Sequence, residues 1–155
     1  MAGAGAEINR VRKRDYTDAF EFLDYEVTTG HVSAYYEFGG GFVGQLDVGR
    51  YLAGDDGATV TLTREFASGW SVGAYATKTN LSAEEYGEGS FDKGIEIKIP
   101  LAWATGMPSK RTVGGSLSSL NRDGGRRVRV DDRLYETVRD SHSTKMYEGW
   151  GKFWR

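Results

Sequence analysis

The chain has 155 residues, with 20 basic against 22 acidic side chains, a net charge of -2 and a pI near 5.7. That is one domain's worth of protein, and its even charge balance excludes the dominant basic face of a general nucleic-acid binder. The absence of cysteine from these residues excludes a disulfide scaffold, a thiolate metal site, a cysteine nucleophile and a lipidated cysteine within them. Aromatic residues at 13% make the chain too apolar for a disordered tail, yet a mean hydropathy of -0.52 leaves a thin apolar supply for a core. The longest apolar stretch, around Ile99 to Ala104, is far short of the roughly 20 residues of a spanning helix. The opening MAGAGAEINRVRKR has no apolar core of the kind a secretory signal needs. Any membrane role therefore falls to strands or to a surface helix.

Apolar and polar residues alternate over much of the chain, between clusters of Gly, Asp, Asn and Ser, which is the period of strands. The segment MAGAGAEINRVRKR ends in the basic cluster Arg10, Arg12, Lys13 and Arg14; this reads either as a contact to acidic lipid or polymer, or, through Ile8 and Val11, as a strand with charged ends. A strand is predicted from Asp18 to Thr28, with a turn at Thr29-Gly30, and a second run in which Val32, Ala34, Tyr36 and Phe38 share one face. After Gly39-Gly40-Gly41 comes a strand with Phe42, Leu46 and Val48 opposite Gln45 and Asp47. The turn Gly54-Asp55-Asp56-Gly57 leads to the clearest strand, residues 58–66, where Ala58, Val60, Leu62 and Phe66 oppose Thr59, Thr61, Thr63 and Glu65, with Arg64 intruding on the apolar side. Ser68-Gly69 is read as a hairpin turn into residues 70–79, with Trp70, Val72, Ala74 and Ala76 opposite Ser71, Gly73, Tyr75 and Thr77. A polar loop from Asn80 to Asp92 precedes a strand of Ile95, Ile97 and Ile99, ended by Pro100, which has no donor for a ladder. A last hairpin is expected from Val113 to Leu120 and back from Arg126 to Leu134. Val138, His142, Met146 and Trp150 then fall four apart as a helical stripe, followed by Phe153 and Trp154.

Strands of about ten residues with one apolar and one Thr/Gly/charged face fit apolar-to-lipid and polar-to-lumen alternation, although a soluble sandwich alternates too. The expected fold is all-β: an antiparallel up-and-down outer-membrane β-barrel, partial in extent, over residues 1–135, with a short C-terminal amphipathic and aromatic tail over 136–155. About eight strand candidates would just suffice for the smallest closed membrane barrel, and no clean terminal strand closes the seam, so the sheet is expected to be incomplete or partner-dependent.

Few residues carry chemistry. Gly39, Gly41 and Gly44 make a literal G-x-G-x-x-G, but a dinucleotide site needs a helix after the glycines, and Val43 to Val48 alternates as a strand. Asp47, Arg50, Asp55, Asp56 and Glu65 bring carboxylates near a guanidinium, for sugar hydroxyls, for acid/base work, or simply as an ion-pair ladder. The loop holding Glu84, Glu85, Tyr86, Glu88, Phe91 and Asp92 could stack on and hydrogen-bond a glycan, or fold over the rim. His31 reads as a lone histidine flanking a turn, Ser141-His142 cannot pair as nucleophile and base, and two histidines without cysteine make zinc improbable. Arg126, Arg127 and Arg129 are as ambiguous as the first basic cluster. Trp150, Phe153 and Trp154 read as an interfacial anchor or as docking on the barrel end.

A succession of motifs gives a family resemblance: Gly5-Ala6-Glu7-Ile8-Asn9, Asp24 to His31, Gly49-Arg50-Tyr51-Leu52-Ala53-Gly54-Asp55, Arg64-Glu65-Phe66, Gly69 to Thr77, Tyr86 to Ile95, and Arg122-Asp123-Gly124-Gly125. In this order they resemble the C-terminal part of the YjbH-like bacterial proteins, outer-membrane lipoproteins linked to exopolysaccharide and capsule production. Family members are longer and begin with a signal peptide and lipidated cysteine, so the chain reads as a C-terminal fragment or a truncated reading frame. The resemblance implies a non-enzymatic barrel protein of the bacterial outer membrane acting in exopolysaccharide export. Its partners would be polysaccharide, outer-membrane lipid and other secretion components, with no nucleic acid, cofactor or metal. The family offers no ligand residues to carry over. Our own reading of the residues selects Arg50, Glu65, Tyr75, Tyr86, Glu88 and Asp92 as polysaccharide contacts. The alternatives are a soluble β-sandwich carbohydrate-binding module and, last, a glycan hydrolase or lyase using an acidic pair that includes Glu88 or Asp92.

Overall fold

A computed structural model describes residues 2–14, 22–82, 91–107, 111–119 and 125–128. Its elements in chain order are β1 (Ala2–Arg14), β2 (Phe22–Gly39), β3 (Phe42–Arg50), β4 (Asp56–Glu65), β5 (Ser71–Thr79), β6 (Asp92–Pro100), the short helix α1 (Leu101–Thr105) and β7 (Thr112–Ser118). All seven strands join one sheet in sequence order, each antiparallel to the next. The result is an up-and-down meander curled into a half-barrel.

The tight turns follow from the residues at them. Gly39, Gly40 and Gly41 all have positive φ, which lets β2 reverse into β3 through the shortest connection. At the β4–β5 turn the Gly69 amide donates to the Phe66 carbonyl and the Phe66 amide to that of Trp70. Pro100 closes β6 and stands at the N-terminus of α1, which Gly106 ends in the left-handed region. The G-x-G-x-x-G residues thus build a hairpin, with Gly44 inside β3 and no helix behind them.

Two expectations are corrected. Thr29-Gly30 is not a turn: β2 runs unbroken through it, because Thr29 pairs with Asn9, and Gly30 with Ile8 on one side and Arg50 on the other. A neighbour on each side satisfies the backbone there and holds it extended. Residues 126–128 do not begin a return strand beside β7; they cross the concave face, where Arg127 meets two carboxylates. The helical stripe from Val138 and the aromatic tail lie outside the described residues.

Burial is inverted relative to a water-soluble sheet. Among the described residues the buried hydrophobic side chains are Tyr35, Val43 and Tyr51, whereas Thr29, His31, Ser33, Asp47, Asp55, Thr59, Ser71, Thr77, Thr79 and Asp92 are all buried. The convex face carries Val32, Leu46, Val60, Leu62, Ile95 and Leu117, all exposed. Register explains this: Val32, Val48 and Ala58 lie side by side across β2–β4, as do Leu46, Val60 and Ala76 across β3–β5. Several of these inward polar side chains are satisfied by one another, as Ser33 is by Asp47 and Thr59 by Tyr51 and Thr77.

Close strand approach fixes the curl where Gly49 faces Gly57. A Cβ on Gly57 would stand 2.7 Å from the Thr79 Cα, and one on Gly49 2.7 Å from the His31 Cα. Gly57→Ala is therefore expected to lower stability by about 1–3 kcal/mol through overpacking, read as a shifted urea midpoint in detergent. Gly3→Ala, with open space around it, should leave the midpoint unchanged.

Candidate functional site

The concave face encloses a cleft of about 590 Å³. Thr59, Thr61, Thr63 and Glu65 of β4 line it at alternate positions, facing Ser71, Gly73, Tyr75 and Thr77 of β5. Glu96 and Lys98 of β6 face the same space and form an ion pair of 3.4 Å. Nine of the 21 lining residues carry hydroxyls and seven carry charges, four acidic against three basic, which largely neutralise one another. Such a surface offers many weak donors and acceptors and no concentrated field.

One end of the cleft is closed by a connected polar network. Arg127 donates to Asp47 at 2.7 Å and to Glu7 at 2.8 Å, joining β3 to β1. Ser33 donates to the same Asp47 carboxylate, and Gln45 reaches its second oxygen at 2.8 Å. His31 lies beside Glu7, with Nδ1 at 3.4 Å from the carboxylate, and meets the Tyr51 ring edge-on at 4.7 Å between centroids. The Tyr51 hydroxyl is 2.6 Å from that of Thr59, which is 2.7 Å from that of Thr77. Burial pushes the Tyr51 phenol up from its ordinary value, so it remains neutral and able to donate across the physiological range.

The segment carrying Arg127 is held by backbone bonds. The Leu52 amide donates to the Arg126 carbonyl at 2.9 Å, and the Gly125 amide to the buried Asp55 carboxylate at 2.9 Å. The β3–β4 turn, from Tyr51 to Asp55, therefore clasps residues 125–127 against the inner wall.

Of the six residues read from the sequence as polysaccharide contacts, Glu65, Tyr75 and Asp92 line the cleft. Asp92 accepts from the Ser119 hydroxyl at 2.9 Å. Arg50 lies elsewhere, on the convex face, donating to both carboxylate oxygens of Asp56 at 2.9 Å. Tyr86 and Glu88 lie outside the described residues. The charged constellation of Asp47, Arg50, Asp55, Asp56 and Glu65 is consequently split between two faces. Glu65 and Asp92 do not make an acid/base pair either. They pair with Ser71 and Thr77, six residues apart on one strand and so about 20 Å from each other, far beyond the roughly 5–9.5 Å of glycosidase carboxylates. Among the described residues, no group of three His, Asp or Glu side chains is arranged to hold a metal ion.

Sequence reading missed Glu7, His31, Tyr51 and Arg127 as members of one site. Parity was the available signal. With β2 continuous, His31 and Ser33 fall on the face of Tyr35, and register then places Glu7 and Asp47 beside them.

At the opposite end of the sheet the convex face is aromatic. Tyr36 packs edge-on against Phe38 at 5.0 Å, Trp70 against Trp103 at 5.2 Å, and the Arg64 guanidinium lies over Phe42 and Phe66 at 4.9 and 4.8 Å. Arg64, an intruder in the sequence pattern, is accommodated on the apolar face by these rings.

The fold and site define an antiparallel meander with a hydroxyl-rich concave face and an exposed apolar convex one. The chain matches the family model described as exopolysaccharide biosynthesis protein over residues 2–140, and it belongs to this YjbH family. It is 40% identical over 141 residues to the lipoprotein YjbH of Escherichia coli (strain K12), itself described as uncharacterized; the match takes in 88% of this chain and 20% of that protein. The chain thus spans about a fifth of the length of this curated relative. No solved structure matches it.

Proposed function

We propose that the chain forms part of the wall of an outer-membrane β-barrel, and that its concave face guides an exopolysaccharide during export without breaking its bonds. The observation that carries this reading is the inversion of burial: ten polar side chains turned inward and buried, with Val32, Leu46, Val60, Leu62, Ile95 and Leu117 turned outward. An apolar phase such as a bilayer interior favours that arrangement, and the strand alternation of membrane barrels has this form. The family description supplies the polymer class, and the relative's description as a lipoprotein supports placement at a membrane. A soluble carbohydrate-binding sandwich would bury the apolar face under a second sheet; among the described residues none covers it.

The mechanism is guidance by weak contacts. Thr59, Thr61 and Thr63 form a ladder of hydroxyls at every second residue of β4, each able to exchange a sugar hydroxyl for water at little net cost. Tyr75 offers a ring for stacking, Glu65 and Asp92 accept from sugar hydroxyls, and other secretion components act on the polymer before and after it. A polymer held this way slides. Thr61→Trp, which places a bulky ring in the cleft, is expected to lower secreted polymer in cells complemented with the full-length family protein, while polymer chain length stays unchanged. Undiminished secretion would count against a lumen role, and longer polymer would point to a lost cleaving activity instead.

A further inference from the structure

The convex face ends in a belt of charge at the rim opposite the aromatic one. Arg10 and Arg12 near the end of β1, Arg50 at the end of β3, Lys78 near the end of β5 and Lys93 near the start of β6 all fall at this rim and are exposed. Their positions share the outward parity of Ile8, Val48, Ala76 and Ile95. Among the described side chains of this belt, the carboxylates are Glu26, which binds Arg10 and Arg12, and Asp56, which binds Arg50. Among the described side chains, five cations against two carboxylates leave an excess of three positive charges along this edge of the apolar band. From Asp56 to Arg64 along β4 the strand runs about 27 Å, which at the roughly 40° tilt of barrel strands is about 21 Å of height against the roughly 25 Å apolar band of a membrane barrel.

We infer that this basic belt docks on the phosphate groups of anionic lipids, and so fixes which rim of the barrel meets the anionic leaflet. The inference rests on the membrane reading proposed above and deepens it by naming the lipid chemistry. Charge complementarity carries it. An uncompensated cation at an apolar-to-polar boundary lies at headgroup depth and gains from anionic phosphates there, whereas the opposite rim is an aromatic girdle of Tyr36, Phe38, Trp70 and Trp103 in which the Arg64 guanidinium is taken up by the Phe42 and Phe66 rings. The long stems of Lys78 and Lys93 can extend along the apolar surface toward the phosphates.

The test is transfer of the full chain from detergent into vesicles of phosphatidylcholine alone or of phosphatidylcholine with phosphatidylglycerol. Preference for the anionic vesicles is expected, weakening as salt is raised. Lys78→Gln/Lys93→Gln should lower that preference about thirty-fold, roughly fivefold for each charge, with transfer into phosphatidylcholine unchanged. Asp56→Asn, which releases Arg50, should raise it about fivefold, a gain that a damaged fold would not produce. Equal transfer into both vesicle types, or a preference that none of these variants moves, overturns the belt and leaves the membrane reading standing. Failure to enter either vesicle overturns the membrane reading and the belt with it. Inorganic phosphate at matched ionic strength should leave the preference intact; its loss there would reassign the belt to free phosphate.

Discussion

Replacing Arg127 by alanine is expected to lower stability by about 3 kcal/mol, because it leaves two carboxylates on the inner wall without their cation. Asp47 is 1% exposed and its ion-pair partner Arg127 17%, so water cannot take over the lost bonds in full. Unfolding by urea in detergent micelles should show the loss as a lower midpoint with little change in slope. The companion variant separates a network from a simple contact. Arg127→Ala combined with Glu7→Gln and Asp47→Asn removes the stranded charges and should recover much of the loss. If the single and triple variants are equally unstable, Arg127 acts through packing alone.

Val60→Arg should cost about 2–4 kcal/mol in a lipid bilayer, the effect of an arginine at the middle of a barrel's lipid face. Val60 is 58% exposed, sits at the centre of β4 and has Leu46 and Ala76 as lateral neighbours. In a water-soluble sheet the same substitution would change stability by no more than about 0.5 kcal/mol. Comparing unfolding of wild type and variant in lipid vesicles therefore distinguishes the two environments by a margin well above experimental error. Thr61→Arg, one residue away on the cleft side, should be much less costly.

Most of the sheet was legible because side chains alternate faithfully between two environments. The strands at residues 42–48, 58–66, 70–79 and 93–99 reappear as β3 to β6 with the same faces. Thr59, Thr61, Thr63 and Glu65 were readable as one face for the same reason, and all line the cleft. Illegible features depended on contacts distant in sequence. Thr29-Gly30 has turn composition, and only the pairing partners on both sides hold it straight. With that turn assumed, His31 lost its parity and the pairing of Glu7 with Asp47 through Arg127 had no frame. Arg127 is 120 residues from Glu7, and no local pattern marks it apart from Arg126. Arg50 was misleading for the opposite reason: its nearness in sequence to Asp47 and Asp55 concealed that strand parity turns it outward to Asp56.

On the proposed reading the convex face meets lipid and the concave face meets water. The chain contains no cysteine, so single cysteines at positions 60, 61, 62 and 63 can each carry a fluorophore without background, after transfer of the protein into vesicles. Lipid-borne nitroxide should quench at 60 and 62, and aqueous iodide at 61 and 63. Iodide quenching at all four positions, with none from the lipid phase, would contradict that reading.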